Sequence, residues 1–178
     1  MKKQETGFTL LETLVAVAVF MMAILGPLAL TTYSMRSITY ARNQITAYYL
    51  AEEGIELARM TRDTARISGS GNWLSDLNNC FGAQECYFDT VQKAVDQCSP
   101  GPCPKVRYDS TTGFYNQYGL SPTNTETIFT RSMRVEKITD HSVPPDDEED
   151  EARITVKVFW EDKSGRHEIV VEGYIFNY

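Results

Sequence analysis

Residues 8–30, FTLLETLVAVAVFMMAILGPLAL, form an apolar run with one acid, Glu12, close to its start. In a helix that rises 1.5 Å per residue, a run of about 23 residues spans roughly 34 Å, enough to cross a hydrocarbon core of roughly 30 Å. We therefore expect this run to lie in a membrane. The leader before it, residues 1–7, carries Lys2 and Lys3. Because basic flanks stay on the cytoplasmic side, the rest of the chain is expected to be exported.

A cleaved secretory signal peptide is the first alternative, because it also joins a basic start to an apolar segment. Its apolar core is shorter, roughly 7 to 15 residues, and cleavage follows that core at an A-x-A type site. Here Ala16 and Ala18 form such a triplet, but it lies in the middle of the run. The small residue Gly7 instead precedes the run. The pattern therefore argues against an ordinary signal peptide.

Residues 7–12, GFTLLE, resemble the processing site of type IV prepilins and type II secretion pseudopilins. In that family a membrane peptidase cuts after the glycine and methylates the new N-terminal phenylalanine, and the fifth mature residue is a glutamate. The resemblance implies cleavage after Gly7, N-methylation of Phe8 and a role in assembly for Glu12. It is strong only from Lys2 to about residue 30.

Glu12 requires a physical explanation as well, since an ionised side chain at the centre of a membrane helix costs at least ~2.5–3.5 kcal/mol, and less near the interface. A carboxylate that lies one turn below the surface and reaches water is the simpler interpretation. In a helical polymer, the N-terminal amine of Phe8 in one subunit would instead neutralise Glu12 of a neighbour and set the axial register. Lipid gives helices no hydrophobic reason to associate, so such a charge pair would favour assembly.

Gly26 and Pro27 are expected to break or kink the helix, because proline lacks an N–H donor and its ring collides with the carbonyl four residues back. A tolerated membrane proline without a role in assembly is the alternative. The helical pattern then resumes and predicts a soluble amphipathic half over residues 31–66. Its apolar stripe, spaced by three and four residues, consists of Ile38, Ala41, Ile45, Tyr48, Ala51, Ile55 and Ala58.

The opposite face of this half is polar, and Glu56 and Arg59 in it have the spacing of an ion pair. Glycine destabilises a helix by roughly 1 kcal/mol relative to alanine. Its presence at Gly54 therefore suggests that another backbone approaches the helix closely there. The helix is predicted to end within residues 66–71, where glycine and serine follow. The predicted polar face includes Arg42, Asn43, Glu53, Glu56 and Arg59.

Residues 67–178 are predicted to form a globular head. Of the 17 Lys and Arg and the 24 Asp and Glu in the chain, residues 1–66 hold 7 and 6, which leaves 10 minus 18, or −8, for the head. Such an acidic head disfavours binding to nucleic acid phosphates, which requires clustered Lys and Arg. We therefore expect no nucleic acid partner.

All four cysteines, Cys80, Cys86, Cys98 and Cys103, lie in one stretch of the head, and export permits disulfides. Four cysteines allow three pairings, between which the sequence does not choose, although two short loops are the simplest arrangement. Zinc is the alternative, but the spacing of the last two cysteines is one residue too long for a zinc knuckle. Short helices are predicted at residues 73–77 and 90–97.

From Lys105 onward the hydrophobic period becomes two, which predicts strands. A hairpin is expected from residues 106–108 to 114–115 across a glycine-closed turn, followed by strands at 129–138, 153–160 and 168–176. The predicted fold class is therefore α+β and pilin-like, with a long N-terminal helix packed against a C-terminal antiparallel sheet. The core side of the second of these strands is predicted to hold Ile154, Val156, Val158 and Trp160.

The sequence holds no H-E-x-x-H motif, P-loop or G-x-S-x-G motif, so we expect neither an enzyme nor a cofactor. The two histidines, His141 and His167, are predicted to be exposed. Four aromatic residues could stack on a sugar or a base, although packing on a sheet face is the simpler explanation. These are Tyr108, Phe114, Tyr115 and Tyr118.

A run of six carboxylates at residues 146–151 is the other conspicuous feature of the head. Calcium takes oxygen ligands, but the spacing and the turn glycine of a calcium loop are absent here. A solvated, mobile loop is therefore the preferred interpretation, and no metal is expected. The weak metal candidates are Asp146, Asp147, Glu148 and Asp150.

These features predict a minor pilin of the PilV kind, in a type IV pilus or a related filament. Its expected partners are other pilin subunits, the prepilin peptidase, the inner-membrane assembly platform and, before assembly, membrane lipid. We expect one pass through the inner membrane with a cytoplasmic N-terminus, and then an extracellular or periplasmic filament. A type II secretion or competence pseudopilin is the alternative, and a membrane-anchored binding domain that never polymerises is the alternative of another class.

Overall fold

The computed structural model describes residues 7, 9–69, 71–82, 84–89, 91–118, 123–138 and 151–177. The predicted sites at Phe8 and His141, and the four acidic metal candidates within residues 146–150, lie outside the described residues. The chain forms two compact units, Met1–Asn43 and Gln44–Tyr178.

An α-helix, α1, covers Leu10–Ile67, so the predicted long helix is confirmed. Gly26 and Pro27 lie inside it, and the helix continues without interruption on both sides of them. Within the described helix the predicted break is therefore not seen, and the predicted kink stays a prediction. Proline removes one hydrogen bond, a loss that a membrane helix tolerates, and the hydroxyl of Thr31 donates to the carbonyl oxygen of Pro27 at 2.8 Å.

In its described residues, the second unit adds a short 3₁₀ helix at Ser75–Cys80 and a seven-stranded antiparallel sheet. The strands are β1 Cys86–Asp89, β2 Ala94–Gln97, β3 Lys105–Asp109, β4 Tyr115–Asn116, β5 Asn124–Ile138, β6 Glu151–Asp162 and β7 Gly165–Phe176.

The long strand β5 organises this sheet. One of its sides pairs with β6, from Phe129 opposite Trp160 to Ile138 opposite Glu151. The other side of β5 has two partners: β3 pairs with the first half of β5, and β1 pairs with it further along, where Cys86 lies opposite Met133. β7 extends the sheet beyond β6, and β2 and β4 extend it beyond β1 and β3. The predicted hairpin of β3 and β4 and the three later strands are confirmed, and each of the three later strands is longer than expected.

The core lies between the sheet and the C-terminal part of α1. The four alternating residues of β6 predicted to face inward are all buried. The stripe on α1 is correct at Ala51, Ile55 and Ala58, but Ile45 and Tyr48 are about half exposed, at 57% and 48%. The buried face of the helix is rotated relative to the predicted one and is built largely from small residues. It comprises Ala47, Leu50, Ala51, Gly54, Ile55, Leu57, Ala58 and Ala65.

Gly54 allows α1 to approach the sheet closely. A Cβ placed on it would lie 2.5 Å from Cζ of Phe88 and 2.9 Å from Cγ2 of Val156. The close approach expected from the sequence is therefore present, but side chains of β1 and β6 make it, not another backbone. Their rings and methyl groups fill the space that a side chain at this position would need.

Gly54→Ala is therefore expected to destabilise the head. Overpacking a close-packed core costs about 1–3 kcal/mol, while the better helix propensity of alanine returns only roughly 1 kcal/mol. The net loss should appear as a lower denaturation midpoint of the full chain in detergent micelles, with Glu56→Ala on the exposed helix surface as the control. A Gly54→Ala chain more stable than the wild type would contradict the close contact with Phe88.

Two local predictions in the cysteine-rich stretch need correction. The helix expected at residues 73–77 is a 3₁₀ helix shifted to Ser75–Cys80. The helix expected at residues 90–97 is wrong, because its second half is strand β2. The reason lies just before it: the carboxylate of Asp89 accepts the N–H of Val91 at 2.8 Å and that of Gln92 at 2.9 Å, which turns the chain back along β1.

Candidate processing and assembly site

The helix α1 begins directly after the predicted cleavage position. The hydroxyl of Thr9 accepts the backbone N–H of Glu12 at 3.3 Å, and its carbonyl oxygen accepts the N–H of Thr13 at 3.2 Å. Thr9 therefore caps the helix, and the spacing from Thr9 to Glu12 is that of a capping box. The first helical residue is Leu10.

Gly7 lies outside this helix and is exposed. Among the residues that the structure describes, a Cβ built on Gly7 would meet no atom within 4 Å. The fold of the chain itself therefore gives no reason for a glycine at this position. A requirement for glycine here would have to come from a protein that acts on the bond after it.

Glu12 lies in the first turn of α1 and is exposed. An acid in the first turn is favourable for any helix, because it faces the positive end of the helix dipole. Its surroundings are unusual, since Leu11 and Val15 beside it along the helix are also exposed. The carboxylate thus stands in an apolar surface, which in lipid would leave it in need of a cationic partner.

The apolar run of α1 has no buried residue at positions 10–30. The helix is long and apolar enough to cross a membrane by length and composition. Leu11 and Phe20, which are nine residues apart and so on opposite faces, are 74% and 66% exposed. A helix that is apolar all round needs lipid or other helices around it.

Both disulfides in the structure close short loops, Cys80 with Cys86 and Cys98 with Cys103. This is the simplest of the three pairings that the sequence allows. The first bond joins the end of the 3₁₀ helix to the start of β1, and both of its cysteines are buried. Since a zinc site needs thiolates, oxidised cysteines do not form the alternative zinc knuckle.

A buried arginine, for which the sequence carries no local signal, joins α1 to the sheet. Arg131 of β5 is completely buried, and its guanidinium donates to Glu53 at 2.5 Å and to the carbonyl oxygen of Leu50 at 3.2 Å. It also donates to the carbonyl oxygen of Phe88 and to the side chain of Gln117, at 3.2 and 3.0 Å. Burial lowers the pKa of Arg131, and Glu53 opposes that shift. Arginine still keeps its proton, so the network holds a buried charge.

A buried acid, Asp89, completes this network. One carboxylate oxygen of Asp89 accepts the backbone N–H groups of Gln117 and Tyr118 at 3.2 and 3.0 Å. The side-chain amide of Gln117 donates to the carbonyl oxygen of Arg131 at 3.0 Å. Polar residues from β1, β5 and the segment after β4 therefore satisfy one another in the interior.

Arg131→Met is expected to reduce the free energy of unfolding by about 3 kcal/mol, the lower end of the range for breaking a buried ion pair. Methionine preserves most of the volume but leaves Glu53 and two carbonyl oxygens without their donor. The lower end applies because the side chain of Glu53 is 32% exposed and can take up water. Urea unfolding followed by tryptophan fluorescence measures the loss.

Arg153→Met is the matched control for this substitution. Arg153 pairs with Glu136 across neighbouring strands, and its side chain is 38% exposed. An exposed pair contributes little to stability, so its loss should change the urea midpoint much less. Equal shifts in the two variants would contradict a structural role for the buried network.

A serine, a histidine and an aspartate meet in the turn between β6 and β7, yet they do not form a catalytic relay. Ser164 Oγ and Asp162 Oδ1 lie 3.0 and 3.1 Å from the same ring nitrogen, Nε2 of His167. In a serine hydrolase, these two partners use opposite ring nitrogens. Hydrogen bonds from the hydroxyl and the N–H of Ser164 lower the pKa of Asp162 to about 2. The ring of His167 is half-buried against Trp160, so the prediction that His167 is exposed is wrong.

Within the described residues, no group of three or more His, Cys, Asp or Glu side chains is placed to hold a metal ion. Of the four aromatic residues named from the sequence, three pack against other rings and one is exposed. Tyr108 and Tyr115 pack against each other with ring centroids 5.3 Å apart, and Tyr118 stacks on Tyr87 at 5.4 Å. Phe114 is 60% exposed.

Residues 2–26 match a known family, the prokaryotic N-terminal methylation motif. The matched segment includes Gly7, Phe8 and Glu12, and it ends at Gly26. This match supports a type IV pilin-like or pseudopilin protein. Neither a curated protein nor a solved structure gave a significant match to the chain.

Proposed function

We propose that this chain is a minor pilin, a structural subunit of a type IV pilus or related filament and not an enzyme. The observation that carries the proposal is the methylation motif of residues 2–26, which lies directly on the start of an exposed apolar helix. Gly7 would be the last residue of the leader and Phe8 the methylated first residue of the mature chain. Glu12 would then lie one helical turn inside the new N-terminus.

The proposed partners follow from these roles. Before assembly, residues 8–30 would lie in membrane lipid with the N-terminus in the cytoplasm, where the prepilin peptidase would remove the leader. The inner-membrane assembly platform would then transfer the helix from lipid to other pilin subunits. The apolar surface around α1 would be covered by lipid in the first state and by neighbouring helices in the second.

The minor status rests on the head. We infer minor status from two disulfides and a run of carboxylates, because a repeated shaft subunit needs mainly contacts to its own kind; a major subunit is the alternative. A type II secretion or competence pseudopilin would share the N-terminal motif and the helix. The genes beside this one would separate these systems, because pilus retraction and protein secretion need different accessory proteins.

Mass spectrometry of the protein from sheared filaments tests the proposal. We expect a mature chain that begins at Phe8, with one methyl group on its amine. Recovery from filaments of only a chain that retains residues 1–7 would overturn the processing role. Absence of the processed chain from the sheared fraction, with the chain retained in the membrane, would overturn the filament role.

A further inference from the structure

The second unit has a cleft of about 380 Å³ between α1 and the hairpin of β3 and β4. This volume is within the range of roughly 300–1,000 Å³ that is usual for small-molecule sites. Most of the cleft surface is apolar, with a carboxylate among the lining groups. The helix contributes Thr46, Tyr49, Leu50 and Glu53, and the hairpin contributes Phe114 and Tyr115.

The aromatic wall of the cleft is held in position by the hairpin turn. Gly113 adopts a positive φ of 76°, and its N–H donates to the carbonyl oxygen of Asp109 at 2.8 Å. The N–H of Asp109 donates in turn to the carbonyl oxygen of Phe114 at 2.9 Å, and the ring of Tyr108 supports that of Tyr115 from the same hairpin. The exposed ring of Phe114 is therefore attached to a backbone that is already ordered.

The polar group of the cleft is ordered as well. The guanidinium of Arg131, which is completely buried, donates a hydrogen bond to Glu53 at 2.5 Å and holds its carboxylate in place. Arg131 offsets the charge of Glu53, the carboxylate that lines the cleft, so the lining itself does not favour a cation over a neutral ligand. A carboxylate has about four lone-pair sites, so Glu53 can accept a hydroxyl hydrogen bond in addition to the bond from Arg131.

We propose that this cleft binds a neutral saccharide ring. The axial C–H groups of a pyranose carry a small positive charge and pack on the negative face of an aromatic ring. Tyr49 and Phe114, which are 68% and 60% exposed, offer such faces. A ring hydroxyl would donate to Glu53. An ordered acceptor beside ordered aromatic rings requires little rearrangement on binding.

The inference does not depend on the role in a filament, because the cleft lies entirely within Gln44–Tyr178. Saturation-transfer NMR on the full chain, in a polyoxyethylene detergent that carries no sugar, tests it. The probes are methyl β-glucopyranoside, methyl β-galactopyranoside and the methyl glycoside of N-acetylglucosamine. We expect transfer to the C–H protons on one face of at least one of these rings.

Tyr49→Ala and Phe114→Ala are expected to weaken this binding about tenfold or more, as the loss of a stacking ring does in other sites. Both side chains are largely exposed, so the fold should persist. Tyr174→Ala is the matched control, because Tyr174 is 47% exposed on β7 and does not line the cleft; its affinity should stay within about twofold of wild type.

Three results would overturn the proposal. The first is no transfer to any of the three saccharides. The second is transfer that persists unchanged in both cleft variants, which would indicate adventitious binding elsewhere. The third is binding of tetramethylammonium in place of the saccharides, with loss in Tyr49→Ala, which would assign the cleft to a cationic group of a partner.

Discussion

A chain carrying Gly7→Phe is expected to accumulate as the uncut precursor in the membrane. Gly7 is exposed and a Cβ there would meet no atom of the described residues within 4 Å, so the substitution should leave the fold intact. The effect would arise in the peptidase, whose site would have to admit a ring next to the bond that it cuts. An immunoblot would show a band seven residues longer than the wild-type chain.

Gly7→Ala gives a graded control, because its single methyl group should slow cleavage without abolishing it. The N-terminus of the Gly7→Phe chain is then read by mass spectrometry. If that chain still begins at Phe8, cleavage after Gly7 does not depend on the glycine and the proposed processing role is wrong. If it begins elsewhere in the apolar run, an ordinary signal peptidase is acting.

Features set by neighbouring residues could be predicted from the sequence. The helix α1 follows from hydrophobic periodicity and from a run of apolar residues, and the inward face of β6 follows from strict alternation. The short disulfide loops, Cys80 with Cys86 and Cys98 with Cys103, are the simplest of the three pairings that the sequence leaves open. In each case the interacting residues are close in the chain, so the pattern carries the information.

Features set by distant residues could not be predicted in this way. Glu53 was assigned to a solvated polar face, yet its partner Arg131 lies 78 residues further along the chain. Tyr48 belongs to a good apolar stripe, but the sheet covers a different face of α1, and the period of a helix does not reveal where its neighbour packs. The helix expected at residues 90–97 failed because the carboxylate of Asp89 forms a turn there.

A chain carrying Glu12→Ala is expected to insert in the membrane and lose its leader normally, but to be lost from filaments. Alanine removes the cost of an acid in an apolar surface and so favours the lipid-embedded state. It also removes the partner for the N-terminal amine of a neighbouring subunit. Both changes act in the same direction, and the amount of protein in the sheared filament fraction should fall by roughly tenfold or more, since 1.4 kcal/mol already corresponds to a factor of ten.

Glu12→Asp and Glu56→Ala separate the possible causes. The aspartate keeps the charge on a shorter stem and should restore part of the incorporation, which a role limited to apolar packing would not predict. Glu56 is an exposed acid in the soluble half of α1, and its loss should leave incorporation unchanged. If Glu12→Ala enters filaments as well as the wild type does, the acid has no part in assembly. If neither the wild-type nor the Glu12→Ala chain enters filaments while both are displayed on the membrane, the protein is an anchored binding domain. Only polymerisation requires the helix of one subunit to recognise the helix of the next.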